Sequence, residues 1–154
     1  MRLIIVRHAH AHPGTPDAGR HLSRRGRKQV RKLASFLRET ELQVPGEIWH
    51  SPLIRAGETA TLLAKHLKLR APTVEKSGLE PEASPALTAR RLAHRDRPLT
   101  IVGHEPHLSA LASLLVTGSR EPPVFVMRKC TALALERQGG RWLVTWMIPP
   151  ELLP

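Results

Sequence analysis

Cysteine is nearly absent. Cys130 is the only one in 154 residues, so no internal disulfide can form and no CxxC pair is available for a thiolate metal site. Aromatic residues make up 3% of the chain and tyrosine is missing, which leaves no stacking platform of the kind single-strand nucleic-acid binders use. Acidic residues are scarce as well: 13 Asp and Glu stand against 24 Lys and Arg, for a formal net charge of +11. No apolar run approaches the roughly 20 residues that cross a bilayer. The N-terminal run at 3–6 is too short for a signal-peptide core and leads straight into Arg7 and His8. A soluble, cytoplasmic protein in a reducing compartment, with no membrane partner, is expected. The basic excess favours anionic partners (phosphorylated ligands, acidic protein surfaces or nucleic acid), beside the plainer reading of a solvated basic surface.

What is present suits a folded globule. Hydrophobic residues make up 41% of the chain, and its length fits one domain over residues 1–154. LIIV at 3–6 reads as a strand buried on both faces, being short, apolar and rich in β-branched residues. Two prolines, two glycines and an aspartate make 10–20 a loop, and Ser23 a helix N-cap. Behind it Val30, Leu33, Ala34 and Leu37 fall on one helical face, with Arg24, Arg25, Arg27, Lys28, Arg31 and Lys32 around it. EIWH at 47–50 reads as a second strand, and Ser51-Pro52 as the N-cap and first position of a second helix carrying Ala56, Ala60, Leu63 and Leu67.

A weak strand is expected at 73–75 and a short helix at 85–93. LTIVG at 99–103 repeats the apolar strand, followed by a helical stripe of Leu108, Leu111, Ala112 and Leu115. Runs at 132–137 and 142–148, separated by Gly139-Gly140, read as a hairpin. The order β-α-β-α-(β)-α-β-α-β-β implies an α/β domain. Its central sheet should be largely parallel, with an antiparallel addition at the end.

Functional side chains in such folds gather beyond the carboxyl ends of the strands. Three candidate groups fall there: Arg7-His8, the stretch from Ser51 to Arg55, and His104. Guanidinium groups present planar forks of donors that suit a tetrahedral phosphate, and they stay charged. A neutral imidazole beside them can attack phosphorus and form a phosphohistidine. VRHAHAHPG holds three alternating histidines, which on a continuing strand would share a face and could ligate zinc. Pro13 and Gly14 place the chain in a loop by then, and no carboxylate or cysteine completes a ligand set. His10 and His12 therefore read as loop residues. His21, His50, His66, His94 and His107 read as surface residues, with His50 and His107 near enough to the motifs to line the cleft.

Arg7-His8-Ala9, Ser51-Pro52 with Arg55-Ala56 and Thr59-Ala60, and Gly103-His104 together resemble the histidine phosphatase superfamily, the phosphoglycerate mutase-like group. RHA in place of RHG, the small size and the GHEPHLS string resemble its SixA-type phosphohistidine phosphatase branch. The resemblance implies a three-layer α/β/α fold with a mostly parallel, mixed central sheet. It implies His8 as the nucleophile that takes the phosphoryl group, Arg7 and Arg55 as phosphate ligands, and His104 as a further ligand of the transferring group. GRHLSRRG resembles the R-x-L-T/S-x-x-G stretch of the family and makes Arg20 a third candidate phosphate ligand. Many relatives place a carboxylic acid near the site. Glu80, and after it Glu82, lie in that region as candidate proton donors, although LEPEASP is no clear acid motif. No metal and no cofactor is implied.

The weak acid motif favours a phosphoramidate, because a leaving imidazole can carry its own proton whereas an alkoxide needs help. The expected partner is therefore a protein bearing phosphohistidine, with a small phosphate ester (a sugar or nucleotide phosphate) as the alternative. A basic module that binds nucleic acid or another anion is the non-enzymatic alternative. The lack of aromatics and the paired histidines at strand ends speak against it.

Overall fold

The computed structural model describes residues 1–42 and 46–154. The expected order of elements is found: β1 (Arg2–Arg7), α1 (Arg24–Glu39), β2 (Glu47–His50), α2 (Ile54–Leu67), β3 (Thr73–Glu75), α3 (Pro85–Ala93), β4 (Leu99–Gly103), α4 (His107–Thr117), β5 (Ala132–Gln138) and β6 (Arg141–Ile148). Short 3-10 turns at Asp17–Gly19 and Pro150–Leu152 complete it.

The strands form one sheet in the order β3-β2-β4-β1-β5-β6. β3, β2, β4 and β1 are mutually parallel, while β5 and β6 add the antiparallel hairpin at one edge. Alternation along β1 explains the layering. Ile4 and Val6 point into a core shared with Val30, Leu33 and Leu37 of α1 and Ala56, Ala60 and Leu63 of α2. Leu3 and Ile5 point the other way, onto Leu92 of α3 and Leu108 and Leu111 of α4. Both faces are covered, as the uninterrupted apolar strand requires, and burying each such Leu or Ile contributes about 1.5–3 kcal/mol. The fold is the three-layer α/β/α arrangement expected from the sequence.

Local chemistry sets two boundaries that matter for the site. The Ser23 hydroxyl caps α1 by accepting from the Gly26 N–H at 3.1 Å. Gly26 has to be glycine: a Cβ there would lie 2.0 Å from the His10 carbonyl oxygen, so α1 could not approach the chain leaving β1. The start of α2 corrects the sequence reading. The helix begins at Ile54 with Leu53 at the cap position, and Ser51-Pro52 lies ahead of it in a bend. The Ser51 side chain is buried and turned toward His104.

Candidate active site

β1 and β4 run parallel in register, Arg7 beside Gly103, so the residues that follow them emerge together. The His8 N–H donates to the Gly103 carbonyl at 2.9 Å, and the His8 and His104 rings lie with centroids 4.9 Å apart. On the other side of β4, the Ser51 N–H at the end of β2 donates to Val102. The strand ends thus bring together His8, His104 and Ser51, which are far apart in the chain.

The His8 tautomer follows from its neighbours. Nδ1 lies 2.8 Å from the Ala9 carbonyl oxygen, which can only accept, so Nδ1 carries the proton. Nε2 is left with its lone pair, and the Arg55 Nε–H lies 3.3 Å from it. Burial pushes the His8 pKa down to about 3. The bond to Ala9 opposes this, and the charges of His104, Lys129 and Arg55 add to it. The ring is neutral at physiological pH. Thr59, one turn after Arg55 on α2, accepts from the Ala9 N–H at 3.1 Å and donates to the Arg55 carbonyl, tying the chain after His8 to that helix.

His104 is also buried, and its pKa falls to about 3, first through burial and then through Arg55. Its Nε2 lies 2.5 Å from the Ser51 hydroxyl, while its Nδ1 has no partner among the described residues. With the Ser51 hydroxyl donating to Nε2, the proton of the neutral ring sits on Nδ1, which is then an unpaired donor among the described residues. Arg7 donates from Nη1 to the Met127 carbonyl at 2.9 Å, and its Nε is buried without a partner among the described residues. Burial lowers its pKa, with Glu105 opposing and Arg55 reinforcing the shift.

Two charged residues join this group that sequence reasoning passes over. Asp17, in the first 3-10 turn, holds the outer nitrogens of Arg55: Nη1 donates to its carbonyl at 2.8 Å and Nη2 to its carboxylate at 3.0 Å. Hydrogen bonds from Arg20 and Arg55 keep that carboxyl below its ordinary pKa. Lys129 is the other. It precedes Cys130, whose N–H is bound to the carbonyls of Arg7 and His8 and whose φ is +59°. Partial burial and the nearby Arg7, Arg20 and Arg55 lower the Lys129 pKa. Neither residue belongs to a periodic pattern. Their position comes from the loops alone.

Of the remaining candidates, Arg20 donates from Nε to the His12 carbonyl and from Nη1 to the same Asp17 carboxylate, one step removed from Arg55. The Glu80 carboxylate accepts from the Gly78 N–H of its own loop at 2.6 Å. His107, read from sequence as a surface or cleft residue, is fully buried, with Nε2 facing the Thr88 hydroxyl at 3.5 Å. The His10 Nδ1 pairs with the Ser23 hydroxyl at 2.7 Å. Among the described residues, no three His, Cys, Asp or Glu side chains converge into a metal-binding group.

A family model for the histidine phosphatase superfamily (branch 1) matches residues 3–81, half of the chain, and takes in Arg7, His8, Ser51 and Arg55. The chain belongs to the histidine phosphatase superfamily. It is a phosphatase. The fold agrees with solved structures. The protein histidine phosphatase SixA, complexed with tungstate, superposes with a TM-score of 0.87 at 21% identity over 97% of each chain. A proposed phosphohistidine phosphatase SixA from Agrobacterium tumefaciens gives 0.80 at 18%, again over 97% of both. A proposed alpha-ribazole-5'-P phosphatase from Escherichia coli gives 0.81 at 17%, over 97% of this chain and 98% of that one. At such identities the likeness is one of fold. No curated protein matches the chain. Among the described residues, no helix is long and apolar enough to cross a membrane.

Proposed function

We propose that this histidine phosphatase hydrolyses phosphohistidine in proteins through a covalent phospho-His8 intermediate. The observation that carries the reading is the fixed tautomer of His8. Its proton sits on Nδ1 against Ala9, and its Nε2 lone pair lies beside the Arg55 guanidinium. A nucleophile that is neutral and aimed needs no general base.

In the first step the His8 Nε2 lone pair, released from the Arg55 Nε–H, forms a bond to phosphorus as the bond from phosphorus to the substrate imidazole breaks. The electron pair of that bond leaves with the imidazole, which departs neutral when its second ring nitrogen carries a proton. Arg7, Arg55 and the free donor of His104 take the charge on the phosphoryl oxygens, so catalysis rests on positioning and charge. The phosphorylated His8 ring is cationic with its proton still on Nδ1, and the Ala9 carbonyl accepts from it. In the second step water attacks phosphorus and the electron pair of the P–N bond returns to Nε2. Inorganic phosphate is released, and the proton of the water goes to phosphate or solvent.

The choice of substrate follows from the proton. The Glu80 carboxylate is turned onto the Gly78 amide, and Asp17 is kept ionised by two arginines. A leaving group that brings its own proton suits such a site better than an alkoxide. The test is a comparison of kcat/KM on a phosphohistidine protein, a phosphohistidine peptide and small phosphate esters, with EDTA present, for wild type and His8→Ala. Preference for the phosphoramidates, lost in His8→Ala, is expected. A clear preference for a sugar or nucleotide phosphate would overturn the substrate assignment.

A further inference from the structure

The cations around the site extend well beyond the phosphate ligands. His10, two residues after the nucleophile, has its N–H on the Gln29 side chain of α1 and its ring on Ser23. From there Arg25, Lys28 and Lys32, at helical spacing, line a groove along α1 whose far wall is Pro150 and Glu151 of the C-terminal turn. Arg25 and Lys28 are exposed and Lys32 half-buried, and among the described residues none of the three has an ion-pair partner, nor does Glu151. Gln29, whose side chain holds the His10 N–H, lines the same groove, so the groove adjoins the chain two residues after His8.

This arrangement works against the helix that carries it. Arg24 and Arg25 occupy the first turn of α1, which contains no acidic residue, and a helix N-terminus favours anions over cations. Unpaired cations in a row leading away from the proposed phosphate site, the first of them in an unfavourable position at the helix N-terminus, suit an anionic partner better than a merely solvated face.

We infer that the Arg25–Lys28–Lys32 face of α1 is a docking lane for an acidic surface of the protein that carries the phosphohistidine. The inference rests on the phosphohistidine reading above and adds to it the character of the partner: a protein with carboxylates beside its phosphorylated histidine, long enough to reach along α1 while the phosphoryl group meets His8.

The experiment compares wild type with the triple variant Arg25→Glu, Lys28→Glu, Lys32→Glu on three substrates. These are an acidic protein phosphorylated on histidine, a neutral phosphohistidine peptide and p-nitrophenyl phosphate. For the acidic protein, kcat/KM is expected to fall about tenfold or more, through KM rather than kcat. The peptide and the ester should be turned over as by wild type. Wild-type activity on the acidic protein should also fall with rising ionic strength toward that of the variant. The Arg25→Gln, Lys28→Gln, Lys32→Gln triple should lie between the two, and it is read in the same way if charge reversal prevents folding.

If wild type hydrolyses both phosphohistidine substrates and the variant matches it on the acidic protein, the docking lane is overturned and the substrate assignment stands. If wild type hydrolyses the ester but neither phosphohistidine substrate, both fall. A loss shared by all three substrates would make the lane part of the phosphate site and overturn docking. Binding of duplex DNA that disappears in the variant while its kinetics on the protein stay unchanged would assign the lane to nucleic acid.

Discussion

The Arg55 guanidinium donates from Nε toward His8 Nε2 at 3.3 Å while its two outer nitrogens hold Asp17 at 2.8 and 3.0 Å. One planar group therefore contacts His8 and, in the proposed mechanism, carries the donors a phosphate would take. Lysine cannot reproduce this, because an ammonium is a point charge without the fork. Arg55→Lys should lower kcat/KM on p-nitrophenyl phosphate by roughly 10²–10³. Steady-state kinetics check it. A loss of only a few-fold would remove Arg55 from the transition state.

Asp17 occupies the Arg55 donors that the proposed mechanism assigns to the phosphoryl group. A phosphoryl group reaching Arg55 has to displace an exposed carboxylate held by Arg20 and Arg55. Asp17→Asn removes that competing charge, and competitive inhibition by inorganic phosphate should tighten by about 3–10-fold, as expected when more of the free enzyme is competent to bind. An unchanged or weaker inhibition constant would show that Asp17 yields its place without competing.

Ser51 is the partner of His104, at 2.5 Å. Ser51→Ala leaves both nitrogens of a buried imidazole without a partner among the described residues, a cost of about 1–3 kcal/mol. Urea denaturation should register that loss, and kcat should fall by about tenfold as His104 loses its fixed orientation. Equal stability and equal kcat in the variant would leave Ser51 no role beyond filling space.

How the sequence misreads Ser51 is informative. Ser-Pro ahead of an apolar periodic stretch is the local pattern of a helix cap, and nothing within ten residues distinguishes a cap from a side chain turned inward. The distinction is tertiary, since β2 and β4 are neighbours and their ends place Ser51 against His104. The elements themselves were legible because both-sided burial and amphipathic faces are local signals, as in LIIV and the Val30–Leu33–Leu37 stripe. That His8 and His104 lie side by side was legible because strand ends converge in this kind of fold, and that Arg55 lies beside them was legible only through the motif resemblance. Asp17 and Lys129 were not, since a lone charged residue in a loop has no periodicity. The burial of His107 depends on α3 packing over α4, which its own segment does not encode.

Three buried histidines make stability depend on pH in one direction. Burial pushes His8 and His104 down to about 3 and His107 to about 4, whereas an unfolded imidazole titrates near 6.5. The unfolded chain thus binds more protons between these values. Stability should be full above pH 6.5 and fall as the pH drops toward 4, by up to about 1.4 kcal/mol per unit for each histidine. Urea denaturation at a series of pH values measures the slope. His107→Gln should reduce it by up to about 1.4 kcal/mol per pH unit; a slope the same as wild type would show that His107 titrates normally in the folded state.

Phosphoryl transfer to His8 is tested most directly by trapping the intermediate. Wild type and His8→Ala are mixed with a radiolabelled phosphohistidine protein, quenched in alkali within the first turnover, and digested for mass spectrometry. Wild type is expected to carry an alkali-stable, acid-labile phosphoryl group on the peptide containing His8, and His8→Ala none, with no turnover. A phosphoryl group on any other residue, or undiminished hydrolysis by His8→Ala, would contradict it.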